Sequence, residues 1–142
     1  LDCGLILGQT KHGRKEIAMI RQIKRYFAIR KYMRSLSHDL GRRFGKQAYY
    51  SVEQVTQAVQ RGKYSVAFIA YAHAAFCRQT DFDAHYVPLG VACNYSGLRQ
   101  VISRRYLGGQ LDFDAATIVQ QFRHLDFSGD RFYESDQGQN LL

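Results

Sequence analysis

The sequence predicts an all-α fold, a compact bundle of about five helices around a central apolar helix at residues 66–77. Three observations carry this. The run Val66-Ala-Phe-Ile-Ala-Tyr-Ala-His-Ala-Ala-Phe-Cys77 contains no charged group and offers no face to water, which marks an interior helix. It reaches only ~18 Å at ~1.5 Å per residue, short of the ~30 Å of a bilayer's hydrocarbon. Second, Met19, Tyr26, Met33 and Leu40 recur every seven residues, with Ile29 and Leu36 at complementary positions, as along one helix face. Third, Ser51-Val-Glu-Gln54 has the form of a capping box, flanked by Tyr50 and Val55 as a hydrophobic staple.

The first helix is expected from about Ile17 to Leu36 or beyond. Ile20, Ile23 and Phe27 widen its apolar stripe, and the stripe's shift near Ala28 allows a bend. Arg21, Lys24, Arg25, Lys31 and Arg42 fall on the other arc, so the helix reads as amphipathic with a basic outer face. Ser35, Ser37 and Gly41 suggest fraying or a break before Arg42. The second helix starts at the Ser51 cap, buries Val52, Val55 and Val59, and stops at Gly62. The third is the central run. Asp83 reads as a cap or turn residue, with room for one short extended segment near 87–91. The fourth helix starts near Asn94 or Ser96 and ends at Gly108-Gly109. The fifth is capped by Asp114, with Phe113 and Ile118 as its staple.

Residues 1–18 mix glycines without a period, and Met19 opens a segment that reads like a natural start. The expected organisation is a leader or extension at 1–18, a single helical domain at 19–127 and a mobile polar tail at 128–142. Nothing of signal-peptide or membrane-span length is present, so the expected compartment is the cytoplasm. Three cysteines are few and odd in number, and reduced thiols are the simpler reading.

The net charge of +8 is uneven. Residues 11–46 hold twelve Lys or Arg against two acidic residues, whereas residues 47–142 hold eight basic and nine acidic groups. A near-neutral body thus carries one strongly basic segment, the clearest partner signal in the chain.

At Phe44-Gly-Lys46, Tyr50-Ser-Val-Glu-Gln-Val55, Ile69-Ala-Tyr-Ala72, Phe76-Cys77, Phe82 and Asn94-Tyr95 the chain resembles a small family of uncharacterised bacterial proteins, a domain of unknown function. Phe44 stands where that family's pattern has Tyr, and Ser51 where it has Thr. The resemblance spans about residues 20–127. It implies a bacterial source and a small soluble domain, and it brings no activity and no catalytic residues.

Few residues suggest chemistry. His73 and Cys77 share one helix face and, with His85 and Cys93, supply the ligand types of a zinc site. The short Cys-x-x-Cys or His-x-x-x-His knuckles of structural zinc sites are missing, so no metal and no cofactor is expected. A Cys–His hydrolase or transferase, pairing Cys77 or Cys93 with His73 or His85, is the remote enzyme reading, and Cys93, just before a helix start, has the better electrostatic position. Cys77 lies at a helix C-terminus, where the dipole opposes a thiolate, and a buried thiol is the commoner role. No phosphate-cradling glycine loop and no Gly-x-Ser-x-Gly or His-Glu-x-x-His motif occurs.

The functional reading of the sequence is a non-enzymatic interaction module. Its candidate contact residues are Arg21, Lys24, Arg25, Arg30, Lys31 and Arg34, meeting a protein partner on the basic helix or in a groove beside it. Nucleic acid through the same face is the alternative, with Tyr26 and Tyr32 available for stacking. An acidic membrane surface is a further option, and a merely solvated face is the plain reading of any charge run. The Met19–Leu40 stripe would also suit helix pairing between two copies.

Overall fold

The computed structural model describes residues 14–125, with side chains from Ile17 to Arg123. Within them the fold is all-α, without strands. Helix α1 (Arg14–Lys31) runs through a π-helical turn (Tyr32–Leu36) into α2 (Ser37–Phe44) as one rod. Then follow α3 (Val52–Arg61), α4 (Ile69–Phe76), α5 (Gln79–Tyr86), α6 (Tyr95–Tyr106) and α7 (Ala115–Leu125). The segment expected as a leader overlaps α1 at residues 14–18; its remainder, and the tail expected at 128–142, lie outside the described residues.

Helix α4 is the centre. Every residue from Ala70 to Phe76 is buried. It packs on α3 and α6, with α5 against all three. The alanines let these neighbours approach closely, and aromatic side chains fill the rest. The carbonyls at its C-terminal end lack partners within the helix, as any helix end does, and the surroundings supply them. Arg99 donates to the Ala74 carbonyl at 2.9 Å, the Tyr50 amide donates to Phe76 at 2.8 Å, and the Tyr95 hydroxyl donates to Cys77 at 2.7 Å.

Arg99 is buried, lies 3.7 Å from the Phe113 ring centroid and 5.3 Å from that of Tyr95, and also donates to the carbonyls of Leu111 and Phe113. It therefore ties α6 both to the central helix and to the loop that leads into α7. The central helix is shorter than the apolar run. Residues 66–68 form a bend and turn, and Val66 is 60% exposed, which corrects its expected burial.

The local caps form as their chemistry requires. Ser51 Oγ accepts from the Gln54 amide at 3.1 Å while Gln54 Oε1 accepts from the Ser51 amide at 3.0 Å. Asn94 caps α6 and Asp114 caps α7, through the Gly97 and Thr117 amides. A Cβ on Gly62 would lie 2.3 Å from the Tyr64 ring, so only glycine admits that ring at the end of α3.

Three expectations are corrected. There is no break before Arg42: α2 continues to Phe44 and ends at Gly45, whose φ of +87° suits glycine. Residues 79–86, to which the sequence reading assigns no helix, form α5, which buries Phe82 and Tyr86. The extended segment allowed near 87–91 is instead a run of turns returning from Tyr86.

Candidate partner-binding surface

The α1–π–α2 rod has 31 residues, ~46 Å at 1.5 Å each, while the longest other described helix, α6, has 12. The body covers only part of such a rod. Ile29, Tyr32, Met33, Leu36 and Leu40 are buried, as the stripe predicts. The N-terminal half of α1 is the reverse of the expectation. Met19 is 64% exposed and Phe27 59%, and Ile17, Ile20 and Ile23 are exposed with them. Arg21 and Arg25 are half-buried. Arg25 Nη1 donates to the Tyr71 hydroxyl at 3.3 Å, so this guanidinium is turned toward the central helix.

The expected basic outer face is therefore an apolar outer face with basic flanks. Of the six contact residues read from the sequence, Lys24 and Lys31 are exposed, whereas Arg21, Arg25, Arg30 and Arg34 are half-buried. They do not form one solvent-facing plane.

Beside this face lies a groove of about 650 Å³ between α1 and α6. Its lining includes Met19, Ile23, Tyr26 and Phe27 on one wall and Val101, Arg105 and Tyr106 on the other. Arg105 stacks on Tyr26 at 4.6 Å and helps to hold the two walls together. Among the described residues, Arg25 and Arg105 are the charged ones that line it, and none is a carboxylate. The groove offers apolar area with a positive rim.

The other chemistry suggested by the sequence is not assembled. His73 Nε2 lies 2.9 Å from Thr56 Oγ1, and Nδ1 lies 2.7 Å from the Tyr86 hydroxyl. Both ring nitrogens are thus occupied across α3, α4 and α5. Burial, with a smaller contribution from His85, lowers the pKa of His73 from 6.5 to about 3, so the imidazole is neutral. His85 meets it edge-on at 5.4 Å.

Cys77 is free and buried. Burial, then Asp81 and Glu53, push its thiol up, the opposite of what a nucleophile needs. Cys93 is half-buried against the core. Among the described residues no group of three or more His, Cys, Asp or Glu is placed to hold a metal.

Sequence reasoning missed both the outward apolar face and the Thr56–His73–Tyr86 bridge. Helix lengths carried a signal for the first, because no predicted neighbour was long enough to cover the whole of the first helix. No spacing rule links Thr56 to His73 and Tyr86.

No helix among the described residues is long and apolar enough to cross a membrane. Over residues 19–141 the chain matches the family described as a family of unknown function, DUF6559, and it belongs to that family. No curated protein and no solved structure matches it.

Proposed function

We propose that this member of a family of unknown function is a non-enzymatic interaction module, which binds a protein partner along the outward face of α1 and the α1–α6 groove. The observation that carries the reading is the inverted N-terminal half of α1. Met19, Ile20, Ile23 and Phe27 face water while Arg25 is turned toward Tyr71. Contiguous exposed apolar area is costly to leave uncovered and marks interaction surfaces. Among the described residues the groove's rim carries Arg25 and Arg105 and no carboxylate, which favours an apolar partner segment with acidic groups. Aromatic and arginine residues such as Tyr26, Phe27 and Arg105 are the types that dominate binding energy at interfaces.

The test is quantitative affinity capture from the source organism with the wild-type chain and with the double variant Ile23→Glu, Phe27→Glu. Both positions are half or more exposed, so the variant should melt within a couple of degrees of wild type. The expected result is a stoichiometric protein partner that the variant loses. Equal capture by both chains would refute the proposed surface. A gel shift against generic DNA and RNA over a salt series tests the alternative. Binding that weakens steeply with salt and is unaffected by the double variant would replace the protein-partner reading with nucleic-acid binding through Lys24, Lys31 and their basic neighbours.

A further inference from the structure

The described chain ends where α7 meets the groove. Phe122, three residues before Leu125, packs against Tyr106 with ring centroids 5.2 Å apart, and Tyr106 is a wall of the groove. Seventeen residues follow, Asp126 to Leu142. They carry Asp126, Asp130, Glu134 and Asp136 against one basic residue, Arg131, interleaved with Phe127, Phe132 and Tyr133 and closed by Leu141-Leu142. This is the acidic and apolar composition that the groove selects. We propose that residues 126–142 are an intramolecular occupant of the α1–α6 groove, which an outside partner must displace; the proposal rests on the reading of that groove as a partner surface.

Reach is sufficient. Seventeen residues extend up to ~55 Å, while the apolar face from Met19 to Phe27 is ~12 Å of helix. Charge is complementary: the segment's four carboxylates suit a rim whose charged members, among the described residues, are Arg25 and Arg105. A second basic groove of about 540 Å³ lies between α2 and α7, lined among others by His38, Arg42, Lys46 and Arg123. It offers charge, but none of its lining residues is an exposed large apolar group. The tail's three aromatic residues find acceptors only in the α1–α6 groove among these two. Tethering supplies the rest. A short linker gives an effective concentration on the order of 1 mM, so a tail with an intrinsic Kd of ~100 μM occupies the groove about nine-tenths of the time. An outside ligand then binds about tenfold more weakly than to an open groove.

The experiment uses the full chain with a photo-crosslinking benzophenone amino acid in place of Phe132. The expected product is an intramolecular cross-link to peptides containing residues 19–27 or 101–106. It should fall at least fivefold in the Asp130→Lys, Glu134→Lys, Asp136→Lys background and in the Ile23→Glu, Phe27→Glu background. A free peptide of residues 126–142 should bind the charge-reversed full chain about tenfold more tightly than wild type.

Cross-links to residues 38–48 or 116–123, cross-links only between copies, or none at all would overturn the proposal. Equal peptide binding to both chains would overturn it too. The two readings fail separately. Cross-links at α1 with no partner captured leave tail docking standing and sink the partner reading. A partner dependent on Ile23 and Phe27, without cross-links, does the reverse.

Discussion

Acidification to about pH 4.5 tests the buried imidazole of His73. In the folded protein this group is held near pKa 3, against 6.5 for an ordinary histidine, because it is buried and His85 lies beside it. Between those values the unfolded chain binds a proton that the folded chain does not. Stability therefore rises with pH through this window and is lost as pH falls below about 6.5. Each pH unit is worth up to about 1.4 kcal/mol, so two units remove up to about 2.7 kcal/mol. For a domain of this size that lowers the melting temperature on the order of 10 °C.

Asp39 does not share the window. Burial raises its pKa, but hydrogen bonds from Tyr64 and Arg42 outweigh that and hold it below its ordinary 3.8. Its charged-state stabilisation is therefore lost only at lower pH. Urea denaturation at about pH 7 and about pH 4.5 measures the difference. His73→Gln, whose amide can serve Thr56 and Tyr86 without titrating, should be less stable at neutral pH and should flatten the slope. An equal slope in His73→Gln, or His73 ring resonances titrating near 6.5, would refute the reasoning.

Further predictions follow from single side chains. Arg99→Lys should cost about 1–3 kcal/mol in urea denaturation, because an ammonium cannot reach the carbonyls of Ala74, Leu111 and Phe113 as the planar fork does. Gly62→Ala should destabilise by about 1–3 kcal/mol, since the new methyl meets a Tyr64 ring pinned by its 2.5 Å hydrogen bond to Asp39. Phe68→Ala should cost about 3–5 kcal/mol while Val66→Ala stays within about 0.5, because Phe68 is buried and Val66 is not. Thermal melts of that pair locate the true start of the central helix.

What could be read from the sequence was what is local in cause. Ser51, Asn94 and Asp114 cap helices through their own side chains, three residues from the amides they satisfy. The interior character of α4 follows from its lack of charge. Helix α5 was obscured because it buries only Phe82 and Tyr86, one pair at i, i+4, amid polar residues. The orientation of α1's first half was hidden for a different reason. Periodicity shows that a helix has two faces but not which one the rest of the chain covers. The same limit applies to His73, whose partners come from α3 and α5 and depend on tertiary packing.

The π-helical turn at Tyr32–Leu36 gives that orientation a simple arithmetic. Such a turn accommodates one residue more than an α-helical turn, and one residue of α-helix is a rotation of about 100°. With one residue deleted within 32–36, each earlier residue would move into the slot of its successor. Ile20 would take the inward slot of Arg21, and Phe27 that of Ala28. The half-buried arginine would give way to an isoleucine, and the small alanine to a phenylalanine. The extra residue thus acts as a phase offset: it lets the rod bury Met33, Leu36 and Leu40 at one end while Ile20 and Phe27 stay in water at the other. In this chain a single backbone residue, without any change of side-chain chemistry, separates a helix that completes the core from one that leaves an apolar face outside.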